Sequence, residues 1–185
     1  MTAWLVARRL RSGRTLAVMV LPAAVAAAWS GLLLTPPLAE RAQPLWLLMA
    51  LLTPLLAVPG LVVEFSRVER STPAFGRCVK LAPLGTVLAG ALMCVALMWP
   101  TRVFSGYLSW FLCALAATLV CTALFGALAW AVVFAGEVLA LGMMSGGTLA
   151  WGPEHGPLQP WTAVALAAGA ASVSAVAQLE VSSEP

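Results

Sequence analysis

The chain alternates between long runs of apolar residues and short polar segments. Five apolar runs stand out, at residues 15–35, 44–63, 82–100, 107–149 and 159–178. A helix needs about 20 apolar residues to cross a bilayer core of ~30 Å, and four of the runs have about this length. The pattern therefore predicts a helical protein whose helices cross a membrane.

The fourth run is about twice as long as the others. A single helix of this length would be too long for one span at a rise of ~1.5 Å per residue. We interpret the run as two helices, about 107–126 and 129–149, with a tight turn near Gly126. The sequence thus predicts an all-α integral membrane protein, a six-helix transmembrane bundle that forms a single domain over residues 1–185. A five-helix version, without this turn, would put the C-terminus on the other side of the membrane.

Composition supports this class, because the chain cannot cover its surface with polar side chains. Hydrophobic residues make up 62% of the chain, charged residues make up 9%, and the mean hydropathy is +0.96. Soluble domains carry roughly 25% charged residues. A soluble globular class is excluded on this ground. We expect a multi-pass protein of the cell membrane, with a bacterial plasma membrane as the expected location.

Basic residues are distributed unevenly between the polar segments. Eight of the ten lie before the first run or between the second and third, namely Arg8, Arg9, Arg11, Arg14, Arg67, Arg70, Arg77 and Lys80. Arg41 and Arg102 occupy other segments. Because cytoplasmic loops of membrane proteins are enriched in Lys and Arg, this distribution places both termini in the cytoplasm. Trp46, Trp99 and Trp110, at or near the predicted outer ends, fit the same orientation.

Residues 3–14 change from apolar to basic just before the first run. In an interfacial helix, Trp4 would lie among lipid headgroups and the arginines would reach lipid phosphates. The predicted lipid-interface anchor consists of Trp4, Arg8, Arg9, Arg11 and Arg14. An ordinary positive-inside anchor explains the same residues. A cleavable signal peptide is a further alternative, but the apolar run continues to Leu34, which is longer than a typical signal core.

The densest polar stretch, residues 63–85, separates the second and third apolar runs. It contains four basic residues together with the acids Glu64 and Glu69. A surface that carries both charges suits docking to a soluble partner. Positive-inside topology alone would explain the basic residues but not the acids, because acids contribute little to orientation.

Two segments resemble type-2 ABC exporter permeases. In that family a basic interfacial helix leads into a first span that contains a proline, and the matching residues here are Arg8, Arg11, Ser12, Arg14, Thr15 and Pro22. The family also has an acidic–basic segment followed by a short cytoplasmic helix and a proline entering the third span. The matching residues here are Glu64, Arg67, Glu69, Arg70, Ser71, Thr72 and Pro83. Ser71 stands where glycine is usual.

This resemblance implies a membrane-spanning subunit that exports a hydrophobic or amphipathic substrate, such as a peptide, a drug or a lipid. Loop 65–80 would couple to a separate ATP-binding subunit through Arg67, Glu69, Arg70, Ser71, Thr72 and Arg77. A second permease copy or homologue would complete a homo- or heterodimer. Lys80, the single lysine, lacks the glycine-rich segment of an ATP site, so we expect no enzyme activity in this chain. The alternative is a non-transporting structural or accessory subunit of a larger membrane complex.

Glu137 is the one ionisable residue predicted near the middle of the bilayer. It lies roughly 13 Å into the fifth helix at 1.5 Å per residue. Because a carboxyl group is costly to bury in a membrane, we expect it to face the bundle interior or water. Three interpretations stay open: a residue that lines the path of a cationic or amphipathic substrate, a proton-coupling acid, or a neutral packing residue. Thr118 and Thr122 on the fourth helix are candidate hydrogen-bond partners.

The remaining polar and small residues favour structural roles. The four cysteines have neither disulfide nor metal-site spacing, and we expect no metal, cofactor or nucleic acid. Glu154 and His155 are interpreted as solvated loop residues. Small residues recur every four positions on the sixth helix, in the pairs Ala165/Gly169, Ala168/Ser172, Ala170/Ser174 and Ala171/Ala175. This spacing favours close packing, either within the bundle or in a dimer.

Overall fold

A computed structural model of the chain describes residues 2–35, 42–61, 73–145 and 157–180. These residues are mostly helical and form five helical runs. The α-helices are α1 (Thr2–Ala28), α2 (Leu45–Leu61), α3 (Pro73–Met98), α4 (Phe104–Phe125), α5 (Ala129–Ser145) and α6 (Pro160–Glu180). A 3-10 helix, Gly126–Leu128, joins α4 to α5 within one run. Two short strands, β1 (Leu33–Leu34) and β2 (Gln43–Pro44), pair antiparallel between α1 and α2.

The N-terminal helix differs from its prediction at both ends. No break separates the predicted interfacial helix, residues 3–14, from the rest of α1. The predicted first span, 15–35, extends too far, because α1 ends at Ala28. The chain then turns into the β1–β2 hairpin, where the Leu45 N–H donates to the Leu32 carbonyl at 2.8 Å. This hairpin, which the apolar pattern did not indicate, takes up the last residues of the first run.

The third helix is longer than predicted. The family resemblance implied a separate cytoplasmic helix before Pro83, and the third span was predicted at 82–100. Instead, α3 runs without interruption from Pro73 to Met98 and contains Pro83. Proline removes a backbone donor and favours a kink, but membrane-type helices tolerate it when neighbouring groups compensate. The predicted third span is therefore the second part of a helix that starts beside the charged segment.

Gly126 marks the point at which the fourth run divides. Its φ of 55° and ψ of −122° end α4, and its N–H donates to the Thr122 carbonyl. Glycine adopts a positive φ readily, whereas a side chain makes this conformation unfavourable. The fourth run is thus divided at Gly126, whereas the count of six membrane spans stays a prediction. Helix α5 then packs against α4, and Met144 near its end joins the same core cluster as Phe111.

Among the described residues, one helical run is long and apolar enough to cross a membrane, namely the 41 residues Phe104–Met144, which include α4 and most of α5. Shorter apolar helices lie at Gly13–Ala28, Leu45–Pro59, Pro83–Met98 and Pro160–Val176. Each of these apolar segments is shorter than the span of about 20 residues that an untilted helix needs to cross a bilayer. The run Phe104–Met144 is the structural indication of membrane association.

Helix α4 occupies the centre of the packed helices. It contacts α2, α5 and α6, while α1 packs against α2 and α3. Tyr107, Phe111, Leu115 and Leu119 recur every four residues along α4, and all four are fully buried. This spacing places them in one stripe on the helix surface. The stripe forms the middle of the hydrophobic core.

Large apolar side chains also cover the outside of the fold. Leu21, Leu92, Leu124 and Leu139 come from α1, α3, α4 and α5, and each is between 65% and 71% exposed. Soluble monomers rarely expose contiguous apolar patches of large area. Such an exterior is typical of helices whose outer faces contact an apolar environment.

Exposed tryptophans gather where several helices begin or end. Trp29 follows α1, Trp99 follows α3, and Trp161 lies in the first turn of α6, and all three are more than half exposed. Ser109, near the start of α4, bonds to both backbone groups of Leu158, just before α6. We call these three exposed residues, Trp29, Trp99 and Trp161, the tryptophan end; a further exposed tryptophan, Trp130, lies in the first turn of α5.

Candidate functional site

Glu137 lies on the inner face of α5. Ala129, Val133 and Met144 share this face at intervals of four and seven residues, and all three are buried. Glu137 itself is half-buried. Its Oε1 atom is buried and has no hydrogen-bond partner in the described part of the chain. The side chain thus faces the bundle. We expected this orientation, because exposure of a carboxyl group to lipid is costly.

The two threonines considered as partners of Glu137 bond to their own helix instead. Thr118 Oγ1 donates to the Ala114 carbonyl at 2.8 Å, and Thr122 Oγ1 donates to the Thr118 carbonyl at 2.6 Å. Threonine in a helix commonly uses its hydroxyl in this way, towards the carbonyl four residues earlier. Because each hydroxyl has a single proton, neither of them donates to Glu137.

No basic side chain in the described part of the chain compensates the charge of Glu137 either. Arg14 and Arg102 are the basic residues among them, and both are exposed. A buried carboxylate without a cation or sufficient donors is costly, and the cost disappears only if it gains a proton or a partner. Glu137 is therefore the acidic group of the bundle whose burial is left uncompensated.

A second polar group lies where α1, α2, α3 and α4 meet. Thr53, Cys94 and Tyr107 are all fully buried. Thr53 Oγ1 donates to the Met49 carbonyl at 2.6 Å, and the Cys94 thiol donates to the Met19 carbonyl at 3.5 Å. The Tyr107 hydroxyl is buried as well, and it has no hydrogen-bond partner in the described part of the chain. We call these three residues the Tyr107 group.

The Tyr107 group was missed by reasoning from the sequence. Its one visible signal is that Tyr107 is the only tyrosine of the chain and stands in an apolar run. A buried tyrosine usually needs a polar neighbour for its hydroxyl. The neighbours, however, come from helices whose relative rotation the sequence does not specify.

Two tryptophans predicted near the membrane surface are core residues. Trp46 is 4% exposed and Trp110 is 5% exposed, and the Trp110 Nε1 atom has no partner among the described residues. An interfacial tryptophan would keep its N–H in contact with water or headgroups. These two side chains therefore pack in the core instead of facing lipid headgroups, whereas Trp99 is exposed; their depth in a membrane stays a prediction.

Most of the predicted coupling residues lie outside the described residues. Arg67, Glu69, Arg70, Ser71 and Thr72 precede the start of α3 and belong to this group. Arg77 lies in the second turn of α3. The role of the coupling loop stays a prediction.

The predicted lipid-interface anchor lies on α1. Trp4, Arg8, Arg9 and Arg11 fall within the first half of this helix, and Arg14 is exposed on it. Glu154 and His155, which were interpreted as solvated, lie outside the described residues.

The described residues contain no cluster of three His, Cys, Asp or Glu side chains that could hold a metal ion. Cys94, Cys113 and Cys121 are free thiols, and the first of these is buried.

Comparison with protein-family models, with curated proteins and with solved structures found no match to this chain. The resemblance of residues 7–34 and 63–85 to exporter permeases therefore stays a hypothesis drawn from the sequence.

Proposed function

We propose that this protein is the membrane-spanning subunit of an ATP-driven exporter. It would be a multi-pass permease of the cell membrane, with six spans and both termini in the cytoplasm. It would move a hydrophobic or amphipathic substrate outward while loop 65–80 docks on a separate ATP-binding subunit. A second permease copy or homologue would complete the transporter. The observation that carries the proposal is the continuity of α3.

Helix α3, which contains Pro83, runs from the end of the charged segment into the bundle core. It begins at Pro73, directly after the charged residues 63–72, and continues for 26 residues. At 1.5 Å per residue it extends over about 39 Å. In its second half, Gly90 and Cys94 approach Met19 of α1. A displacement of the charged segment by a partner would therefore move the contact between α3 and α1.

The apolar exterior supports a multi-pass arrangement. Large apolar side chains are exposed on all six helices, and examples are Leu21, Leu52, Leu92, Leu124, Leu139 and Leu166. The three exposed tryptophans of the tryptophan end suit the level of lipid headgroups, where tryptophan is enriched. The shortest helices, with 17 residues, lie at the lower limit for crossing a bilayer.

Purification of the tagged protein from its native membrane in a mild detergent tests this function. We expect mass spectrometry to identify a stoichiometric ATP-binding subunit with the wild-type protein. The double variant Arg67→Ala/Arg70→Ala should lose that subunit, because these residues lie in the docking segment. The matched control Arg102→Ala changes an arginine of the turn between α3 and α4 and should keep it. Isolation of the wild-type protein without any ATP-binding subunit would contradict the proposal.

A non-transporting accessory subunit is the second candidate, and the outer face of α6 favours it. Ala165, Ala168 and Gly169 are exposed, whereas Ala170 and Ser174 are buried in the bundle. Small exposed residues allow another membrane helix to approach closely. In the same purification, a large complex that contains no ATP-binding subunit would favour this candidate.

A further inference from the structure

The uncompensated carboxyl group of Glu137 points to a class of substrate. We propose that Glu137 binds the positive charge of an organic cation whose remaining surface is apolar. This inference rests on the proposed function, since it names the substrate of the same bundle, and it narrows a hydrophobic or amphipathic cargo to a cationic one.

The described bundle supplies no partner for this acid. Oε1 of Glu137 is buried and accepts no hydrogen bond from the described residues. The hydroxyls of Thr118 and Thr122 donate to carbonyls of their own helix. Arg14 and Arg102 are exposed. A ligand that brings a positive charge would compensate the burial of the carboxylate, which no described side chain does.

Charge separates the possible classes of ligand at this position. The ionised carboxylate would repel an anion, and a neutral apolar molecule would leave Oε1 without a partner. A cation would be attracted strongly, because charges interact more strongly at the low effective dielectric of a protein interior than in water. The apolar part of such a ligand would match the neighbours of Glu137 on the same face of α5, which include Val133, Leu141 and Met144.

The two other roles of Glu137 predict different behaviour. A neutral packing residue would be replaced by glutamine, which has nearly the same shape, without any change in cation binding. A proton-coupling acid would be essential for proton movement but would not distinguish an organic cation from an anion of the same shape. Ligand charge and residue charge must therefore be varied together.

Equilibrium binding of tetraphenylphosphonium to the purified full-length protein tests the inference. Tetraphenylborate, which has the same shape and the opposite charge, is the matched control ligand. We expect saturable binding of the cation alone, and binding at least about tenfold weaker in Glu137→Gln. Glu137→Asp keeps the charge and should retain most of the affinity. Ser174→Ala removes a buried hydroxyl of α6 and should bind as the wild type does.

Equal cation binding by the wild type and a folded Glu137→Gln variant would overturn the inference. So would equal binding of the two ions by the wild type, a comparison that decides even if the glutamine variant fails to fold. Gel filtration and circular dichroism check the fold of each variant. The measurement needs no ATP-binding subunit, so a failed purification of that subunit contradicts the proposed function and leaves this result unaffected.

Discussion

Glu137 and the Tyr107 group are two polar regions in one apolar bundle, and they differ in how their polar atoms are compensated. In the Tyr107 group, Thr53 and Cys94 donate to backbone carbonyls, and all three side chains are fully buried. Glu137 is half-buried, and its Oε1 atom has no partner among the described residues. The Cys94 bond joins α3 to α1, and the Thr53 bond stays within α2. The Tyr107 hydroxyl, like Glu137 Oε1, has no partner among the described residues, but only Glu137 contributes a carboxyl group. The first region thus belongs to the packed core, and recognition is the role that we propose for the second.

Truncation of Tyr107 should have the largest effect on stability. Its ring is fully buried and stacks on Phe111, with ring centroids 5.5 Å apart. We expect Tyr107→Ala to lower the free energy of unfolding by about 3–5 kcal/mol, because it leaves a cavity in the core. Unfolding in detergent, followed by circular dichroism, measures this change.

The matched variant Tyr107→Phe keeps the ring and removes only the hydroxyl. Since this hydroxyl makes no hydrogen bond of standard geometry, we expect a change of about 1 kcal/mol or less. An effect of Tyr107→Phe as large as that of Tyr107→Ala would show that the hydroxyl, rather than the ring, holds the group together.

An added side chain at Gly90 should have an intermediate effect. A Cβ atom there would lie 2.9 Å from Met19 Sδ, so the buried Met19 side chain would have to shift. We expect Gly90→Leu to lower the free energy of unfolding by about 1–3 kcal/mol, in the same unfolding assay. Gly85→Leu is the control, because nothing lies within 4 Å of a Cβ at that position. Equal effects of the two substitutions would contradict close packing at Gly90.

Replacement of Glu137 should have the smallest effect on stability, and one of the opposite sign. Glu137→Leu removes a buried oxygen that has no partner among the described residues. We expect the free energy of unfolding to rise by about 1 kcal/mol, while binding of tetraphenylphosphonium is lost. A clear loss of stability would show that Glu137 makes a structural contact and would remove the contrast with the Tyr107 group.

The helices and the turn at Gly126 were predictable because apolar runs and their lengths suffice to locate them. The inward orientation of Glu137 was predictable as well, since a lone acid in an apolar helix has few other places to lie. The ends of α1 and α3 were not predictable from the same pattern. Proline at position 83 did not end α3, and the β1–β2 hairpin ended α1 inside an apolar run.

The Tyr107 group and the burial of two tryptophans could not be predicted for a different reason. In soluble helices the contrast between polar and apolar faces shows which side is buried. Helix α4 is apolar all round, so the sequence does not reveal that Tyr107 and Trp110 face the core. Only the packing of α4 against α2 and α6 determines which of its side chains are inside.

The positive φ of Gly126 bears on which side of the membrane the residues after α6 lie. If α4 and α5 continued as one straight rod, their 41-residue run would extend over about 60 Å, twice the thickness of a bilayer core. In the proposed topology the chain reverses direction at this turn, which makes the number of membrane crossings even. A fusion reporter or a protease recognition sequence placed after Pro185 would then be cytoplasmic. In this topology the conformation of one glycine, rather than a charged residue of the run, determines on which side of the membrane such a reporter would lie.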